Sequence, residues 1–124
     1  MAVKQGPAPH LMLDCFGCAP AKLADDDFIC RLLETLPAKI GLEKGLPPHV
    51  FKYTGDAPAN SGVSGVVLTA DSHISVHTFP AQKHAFVDIF SRRDFDADRA
   101  CSELLGELEA CDHEAVRLGR PGEY

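Results

Sequence analysis

The apolar positions change period along this chain, and each change marks an element. From His10 to Phe16 (HLMLDCF), Leu11, Leu13 and Cys15 alternate with Met12, Asp14 and Phe16, the two-residue rhythm of a strand with one buried face. Further on the rhythm becomes helical: Phe28, Ile29, Leu32, Leu33 and Leu36 fall on one stripe. The spacing predicts a helix starting near Asp25 to Asp27, whose carboxylates suit the positive end of the helix dipole, and closed by Pro37. Gly41 to Pro48 reads as a connection, His49 to Tyr53 as a short strand and Gly55 to Ser61 as a turn-rich loop.

Strands are then predicted at Gly62 to Thr69, Ser72 to Thr78 and Lys83 to Ser91. In the second, Ile74, Val76 and Thr78 share one face, and His73, Ser75, His77 and Phe79 share the other. In the third, Ala85, Val87 and Ile89 oppose His84, Phe86, Asp88 and Phe90. A second helix, capped by Asp94 or Asp96, carries Ala97, Ala100, Cys101, Leu104, Leu105, Leu108 and Cys111 at three- and four-residue steps. His113 to Gly119 alternates like an edge strand, with Val116 and Leu118 on one side, and Met1 to Pro9 reads as a loose arm.

The order β-α-β-β-β-β-α-β, with hairpin-like neighbours, implies an α+β fold: a two-layer α/β sandwich, its mainly antiparallel sheet carrying two helices on one face. The opposite face then bears His73, His77, Phe79, Phe86 and Asp88. Such a polar and aromatic mixture belongs to a site, a subunit interface, or both.

Composition narrows the function classes. A length of 124 residues fits one domain over residues 1–124. A net charge of −6 argues against a nucleic-acid partner, which needs clustered basic residues. No apolar run approaches the roughly 20 residues of a membrane helix. The start, MAVKQGPAPH, lacks a secretory apolar region, so the expectation is a cytoplasmic protein with no membrane partner. The five cysteines read as free thiols. Cys15 and Cys18 form a C-x-x-C, but no second ligand pair accompanies it. Small buried residues at a strand end are the preferred reading, ahead of a redox or zinc site, and no metal is expected.

Ser72 follows the turn at Asp71. A serine there is ordinarily a turn residue. Here His73 and His77 follow it, Ser64 lies on the preceding strand, and Gly62 and Gly65 allow close backbone approach. Imidazoles move protons near neutral pH, which brings Ser72 into consideration as a reacting group. A hydrolase triad is disfavoured, because the G-x-S-x-G elbow is missing.

The central segment resembles the prokaryotic S-adenosylmethionine decarboxylases. The matching residues are Gly62-Val63-Ser64-Gly65-Val66-Val67, Ser72-His73, His77-Thr78, Pro80, Ala85, Asp88 and Phe90. The likeness is strong over the central strands and looser over both helices. It implies a self-processing, pyruvoyl-dependent decarboxylase of polyamine biosynthesis. Ser72 would attack the Asp71 carbonyl, leaving chains 1–71 and 72–124 and a covalent pyruvoyl group derived from Ser72. Ser64 and His77 match the positions that assist processing. A tight turn can strain the scissile peptide, and an imidazole can remove the α-proton. The ketone would take the substrate amine as a Schiff base and withdraw electrons as CO₂ leaves. The resemblance also implies a homodimer or larger homo-oligomer with sites near subunit contacts.

Four positions depart from the family pattern. Asp71 replaces Glu before the serine, Phe79 replaces Trp and Ala81 replaces Glu beside the proline. Arg92 stands where the family carries a proton-returning cysteine. A guanidinium is a poor proton donor but a good carboxylate partner, and the bland alternative for Arg92 is a solvated side chain. Phe79, His73 and Arg92 are therefore the candidate substrate contacts, with Phe79 keeping an aromatic for stacking. The substrate is S-adenosylmethionine on the first reading, and a basic amino acid such as arginine or ornithine on the second. A third reading is an unprocessed, non-catalytic relative acting as a binding or partner subunit.

Overall fold

The computed structural model describes residues 8–43 and 45–120. Strand β1 runs Ala8–Phe16, followed by a short helix α1 (Pro20–Leu23) and helix α2 (Asp26–Lys39). Strands β2 (His49–Tyr53), β3 (Gly62–Leu68), β4 (Ser72–Phe79) and β5 (His84–Ser91) come next, then helix α3 (Ala97–Leu108) and strand β6 (Asp112–Arg120). The strands form a six-stranded sheet in the order β2-β3-β4-β5-β1-β6. Every pairing in it is antiparallel. The helices cover one face, giving the α+β sandwich that the periodicity implied.

The alternation seen in the sequence is the alternation of burial. In β4, Ile74, Val76 and Thr78 are buried, and in β5, Ala85, Val87 and Ile89. Against them pack Ile29, Leu33 and Leu36 from α2 and Ala100, Leu104 and Leu108 from α3. Each large aliphatic side chain taken fully out of water contributes about 1.5–3 kcal/mol, so this layer is the main stabilising element. Gly65 lets α2 approach: a Cβ there would lie 2.8 Å from Leu33 Cδ1 and 3.1 Å from Val50 Cγ2. Its smallness thus serves packing.

Caps agree with the sequence in kind. Asp25 accepts from the Phe28 N–H at 3.1 Å, and Asp96, not Asp94, accepts from the Arg99 N–H at 2.9 Å. Pro37 does not close its helix. It lies inside α2, which ends at Lys39, and the Pro37 carbonyl accepts from the Leu42 N–H at 2.9 Å. A proline in the last turn loses one helical hydrogen bond without blocking those that follow, and Gly41 at φ +87° makes the turn out. The loose arm expected to Pro9 is partly strand, since Ala8 and Pro9 pair with Arg120 and Gly119; the rest lies outside the described residues.

Thr78 ties the layers together. Its hydroxyl is fully buried, donates to the Leu23 carbonyl at 2.7 Å and accepts from the Val63 N–H at 2.9 Å. The C-x-x-C is structural packing: Cys15 and Cys18 are both buried. Burial pushes the Cys15 thiol up to about 12, with smaller contributions from Cys18, Asp14 and Cys101. Such a thiol stays protonated and is a poor nucleophile.

Candidate active site

Strands β3 and β4 are joined through Thr69, Ala70 and Asp71, a tight connection in which the Thr69 N–H donates to the Ser72 carbonyl at 2.9 Å. Neither Ala70 nor Asp71 has a positive φ, so the strain expected of this turn is not stored in a left-handed backbone. What the turn does is present one peptide bond to neighbouring donors. The Asp71 carbonyl oxygen accepts from the Arg92 N–H at 3.1 Å. The Ser72 hydroxyl, on a residue only 5% exposed, is hydrogen-bonded to the Thr69 hydroxyl. Both ends of the Asp71–Ser72 link are therefore held.

The side chain of Asp71 is paired with an arginine, Arg93. Arg93 Nη2 lies 3.2 Å from Asp71 Oδ2, and Arg93 Nη1 reaches Glu43 Oε1 at 3.5 Å. The Arg93 guanidinium is raised above its ordinary value, first by its hydrogen bond to Asp71. Arg92 is exposed and meets the turn through its backbone.

The histidines lie elsewhere. Along β4, Ser72 falls on the buried face, whereas His73 and His77 point outward. Ser64 Oγ is 2.9 Å from His77 Nδ1, a cross-strand pair fixed by the β3–β4 register. Five residues of extended strand, roughly 16 Å, separate that pair from Ser72. His73 packs on Phe90 with ring centroids 5.7 Å apart, and Phe79 on Phe86 at 5.4 Å. Met12, Asp14, Phe86, Asp88, Glu114 and Val116 line an open cleft of about 380 Å³ on the same outer face. The structure thus gathers His73, Ser64, His77 and Phe79 on one face and puts Ser72 at its end, pointing away.

Thr69 and Arg93 carry no motif, and sequence reasoning missed both. Only the hairpin register, which sets Thr69 opposite Ser72, offered a sign of the first. Arg92 was identified for its guanidinium, while its contact here is main-chain.

The model of the S-adenosylmethionine decarboxylase family matches residues 9–121. The chain belongs to that family. A proenzyme of S-adenosylmethionine decarboxylase from Parasynechococcus marenigrum (strain WH8102) is 35% identical over 106 residues, covering 84% of this chain and 77% of its own length. Its counterpart from Bacillus velezensis (strain DSM 23117 / BGSC 10A6 / LMG 26770 / FZB42) is 31% identical over 112 residues, covering 90% and 83%. The crystal structure of the adenosylmethionine decarboxylase from Aquifex aeolicus VF5 superposes with a TM-score of 0.78 at 26% identity, covering 98% of both chains. Family membership thus rests on the fold and on nearly the whole sequence, beyond the central motif. The family is one of pyruvoyl-dependent decarboxylases.

Proposed function

We propose that this chain cuts itself between Asp71 and Ser72 and then decarboxylates S-adenosylmethionine. The observation that carries the reading is the hold on the scissile peptide: the Arg92 N–H lies 3.1 Å from the Asp71 oxygen while the buried Ser72 hydroxyl sits beside its own amide. In the attack, Ser72 Oγ bonds to the Asp71 carbonyl carbon and the carbon–nitrogen bond breaks. The hydroxyl proton ends on the freed amine. Charge gathers on the Asp71 oxygen meanwhile, where a fixed N–H donor stabilises it. Loss of the Ser72 α-proton then expels the Asp71 carboxylate, and water replaces the nitrogen, which leaves as ammonia. Chains 1–71 and 72–124 result.

A pyruvoyl group fits at Ser72 because that serine is buried at a chain turn with its preceding carbonyl hydrogen-bonded. It supplies a ketone that draws electrons from the substrate as CO₂ departs. The chain's own side chains bind and orient. Phe79, beside Phe86 and farther along β4 than His77, offers a ring for stacking against the adenine of substrate held at a second copy's serine, while His73 borders the same face and the exposed Arg92 can meet the substrate carboxylate.

The separation of Ser64 and His77 from Ser72 supports a homodimer. A pair roughly 16 Å along the strand cannot serve its own serine, so in this reading it serves that of a second copy packed against the outer face. The aromatic groups and cleft on that face support such packing.

The test is intact mass spectrometry of purified protein together with labelled CO₂ release from S-adenosylmethionine, arginine and ornithine. Two fragments and release from S-adenosylmethionine are expected. Release from arginine or ornithine instead would move the same chemistry to a basic amino acid. A single uncut chain releasing nothing would make it a non-catalytic relative.

A further inference from the structure

We infer that Thr69 is the positioning residue that aims the Ser72 hydroxyl at the bond it breaks. The inference rests on the self-cleavage proposed above and concerns a residue outside the family motif quoted for it. Its basis is a directional network. The Thr69 hydroxyl has one proton, and it lies 3.4 Å from the Ser72 carbonyl oxygen, which can only accept. With that proton committed, the Thr69 oxygen faces Ser72 Oγ as an acceptor, in the contact that joins the two hydroxyls. Of the two directions open to that contact, this arrangement makes Ser72 the donor. Its hydroxyl proton is directed at Thr69, and its lone pairs are left for the Asp71 carbonyl carbon.

The backbone fixes this arrangement. The Thr69 N–H donates to the Ser72 carbonyl at 2.9 Å, and Ser72 is held on its other side by its pairing with Ser91 in β5. Thr69 is β-branched and so restricted at χ1, which keeps its oxygen in place. The electrophile is fixed independently by the Arg92 N–H. Nucleophile and carbonyl are thus oriented by different groups, the Thr69 hydroxyl in the turn and the Arg92 N–H just past β5, the arrangement that lowers the entropy cost of an intramolecular attack. In the acyl shift, Oγ–carbon bond formation replaces the carbon–nitrogen bond, and the proton passes from Oγ toward the amine. Thr69 takes no part in that balance; it holds the proton-bearing oxygen until the bond forms.

Once cleavage has converted Ser72, the hydroxyl that Thr69 holds is gone. The role is therefore confined to processing, which separates it from a general structural one. The experiment follows cleavage of freshly synthesised chain by denaturing gel and intact mass for wild type, Thr69→Ser, Thr69→Val and Thr69→Ala. Turnover per pyruvoyl-bearing chain and thermal unfolding are measured in parallel. Expected are cleavage slowed about tenfold or more in Thr69→Val and Thr69→Ala, near-wild-type cleavage in Thr69→Ser, and turnover per cleaved chain within about twofold throughout. Thr69→Val or Thr69→Ala cleaving as fast as wild type overturns the role of Thr69 and leaves self-cleavage standing. So does an equal loss of cleavage and turnover, which marks a structural residue. Wild-type chain that never cleaves overturns the processing reading and this inference with it.

Discussion

The backbone N–H of Arg92 donates to the Asp71 carbonyl oxygen at 3.1 Å, so position 92 meets the peptide proposed to be cut through its main chain. A change of side chain there should leave cleavage almost untouched. Arg92→Ala is expected to process within about threefold of wild type, followed by gel, because the donor survives any substitution but proline. Turnover is a separate matter. Arg92→Cys should raise the rate on S-adenosylmethionine, since a thiol can return a proton that a guanidinium cannot, and positioned acids contribute about 10²–10⁴-fold. An unchanged rate would assign proton return to another group.

Ser72→Ala should remain one chain by intact mass and release no CO₂ from any substrate. Its buried hydroxyl is hydrogen-bonded to Thr69 within the turn, so the variant is expected to fold normally. Decarboxylation by an uncut chain would end the pyruvoyl account.

The 2.9 Å Ser64–His77 pair predicts complementation between chains. Coexpressed Ser72→Ala and His77→Ala should yield mixed dimers in which the His77→Ala chain is cut, while each variant alone stays whole or nearly so. Failure of the mixture to restore cutting, with mixed dimers shown to form, would return His77 to its own chain.

Thr78 sits in the stretch SHISVHTF, which resembles the family motif, but is buried and satisfied by Leu23 and Val63. Thr78→Val leaves a backbone carbonyl and a backbone N–H without their partner in the core, a loss of about 1–3 kcal/mol. Urea unfolding should show the loss, and turnover per folded, cleaved chain should not change.

Cys15 gives a pH dependence. Its thiol lies above the ordinary 9.0, at about 12, chiefly through burial. The stability this contributes is fully present below pH 9 and is lost as pH rises from 9 toward 12, where the unfolded chain releases a proton that the native chain keeps. The urea midpoint should therefore fall over that interval, and fall less steeply in Cys15→Ala. That variant is less stable at neutral pH, because the truncation leaves a cavity.

Much of the architecture is legible in the chain because burial repeats locally. Ile74, Val76 and Thr78, or Leu104 and Leu108, announce their face by spacing alone, and the aspartates near Asp25 to Asp27 and at Asp94 or Asp96 announce their helices by chemistry. The S-H-x-x-x-H-T-x-P run around Ser72 is likewise enough to indicate the family. What the sequence could not show is where β1 goes. It enters between β5 and β6, and such long-range pairing is made by main-chain groups that every residue carries alike. The same reason hid the neighbours of the Asp71–Ser72 bond. Arg92 meets Asp71 through an amide, Thr69 meets Ser72 through a turn register, and the alternation of β4 directs His77 away from the serine with which its motif groups it. Composition and period chose the layers; the folded register decided which atoms surround the Asp71–Ser72 peptide.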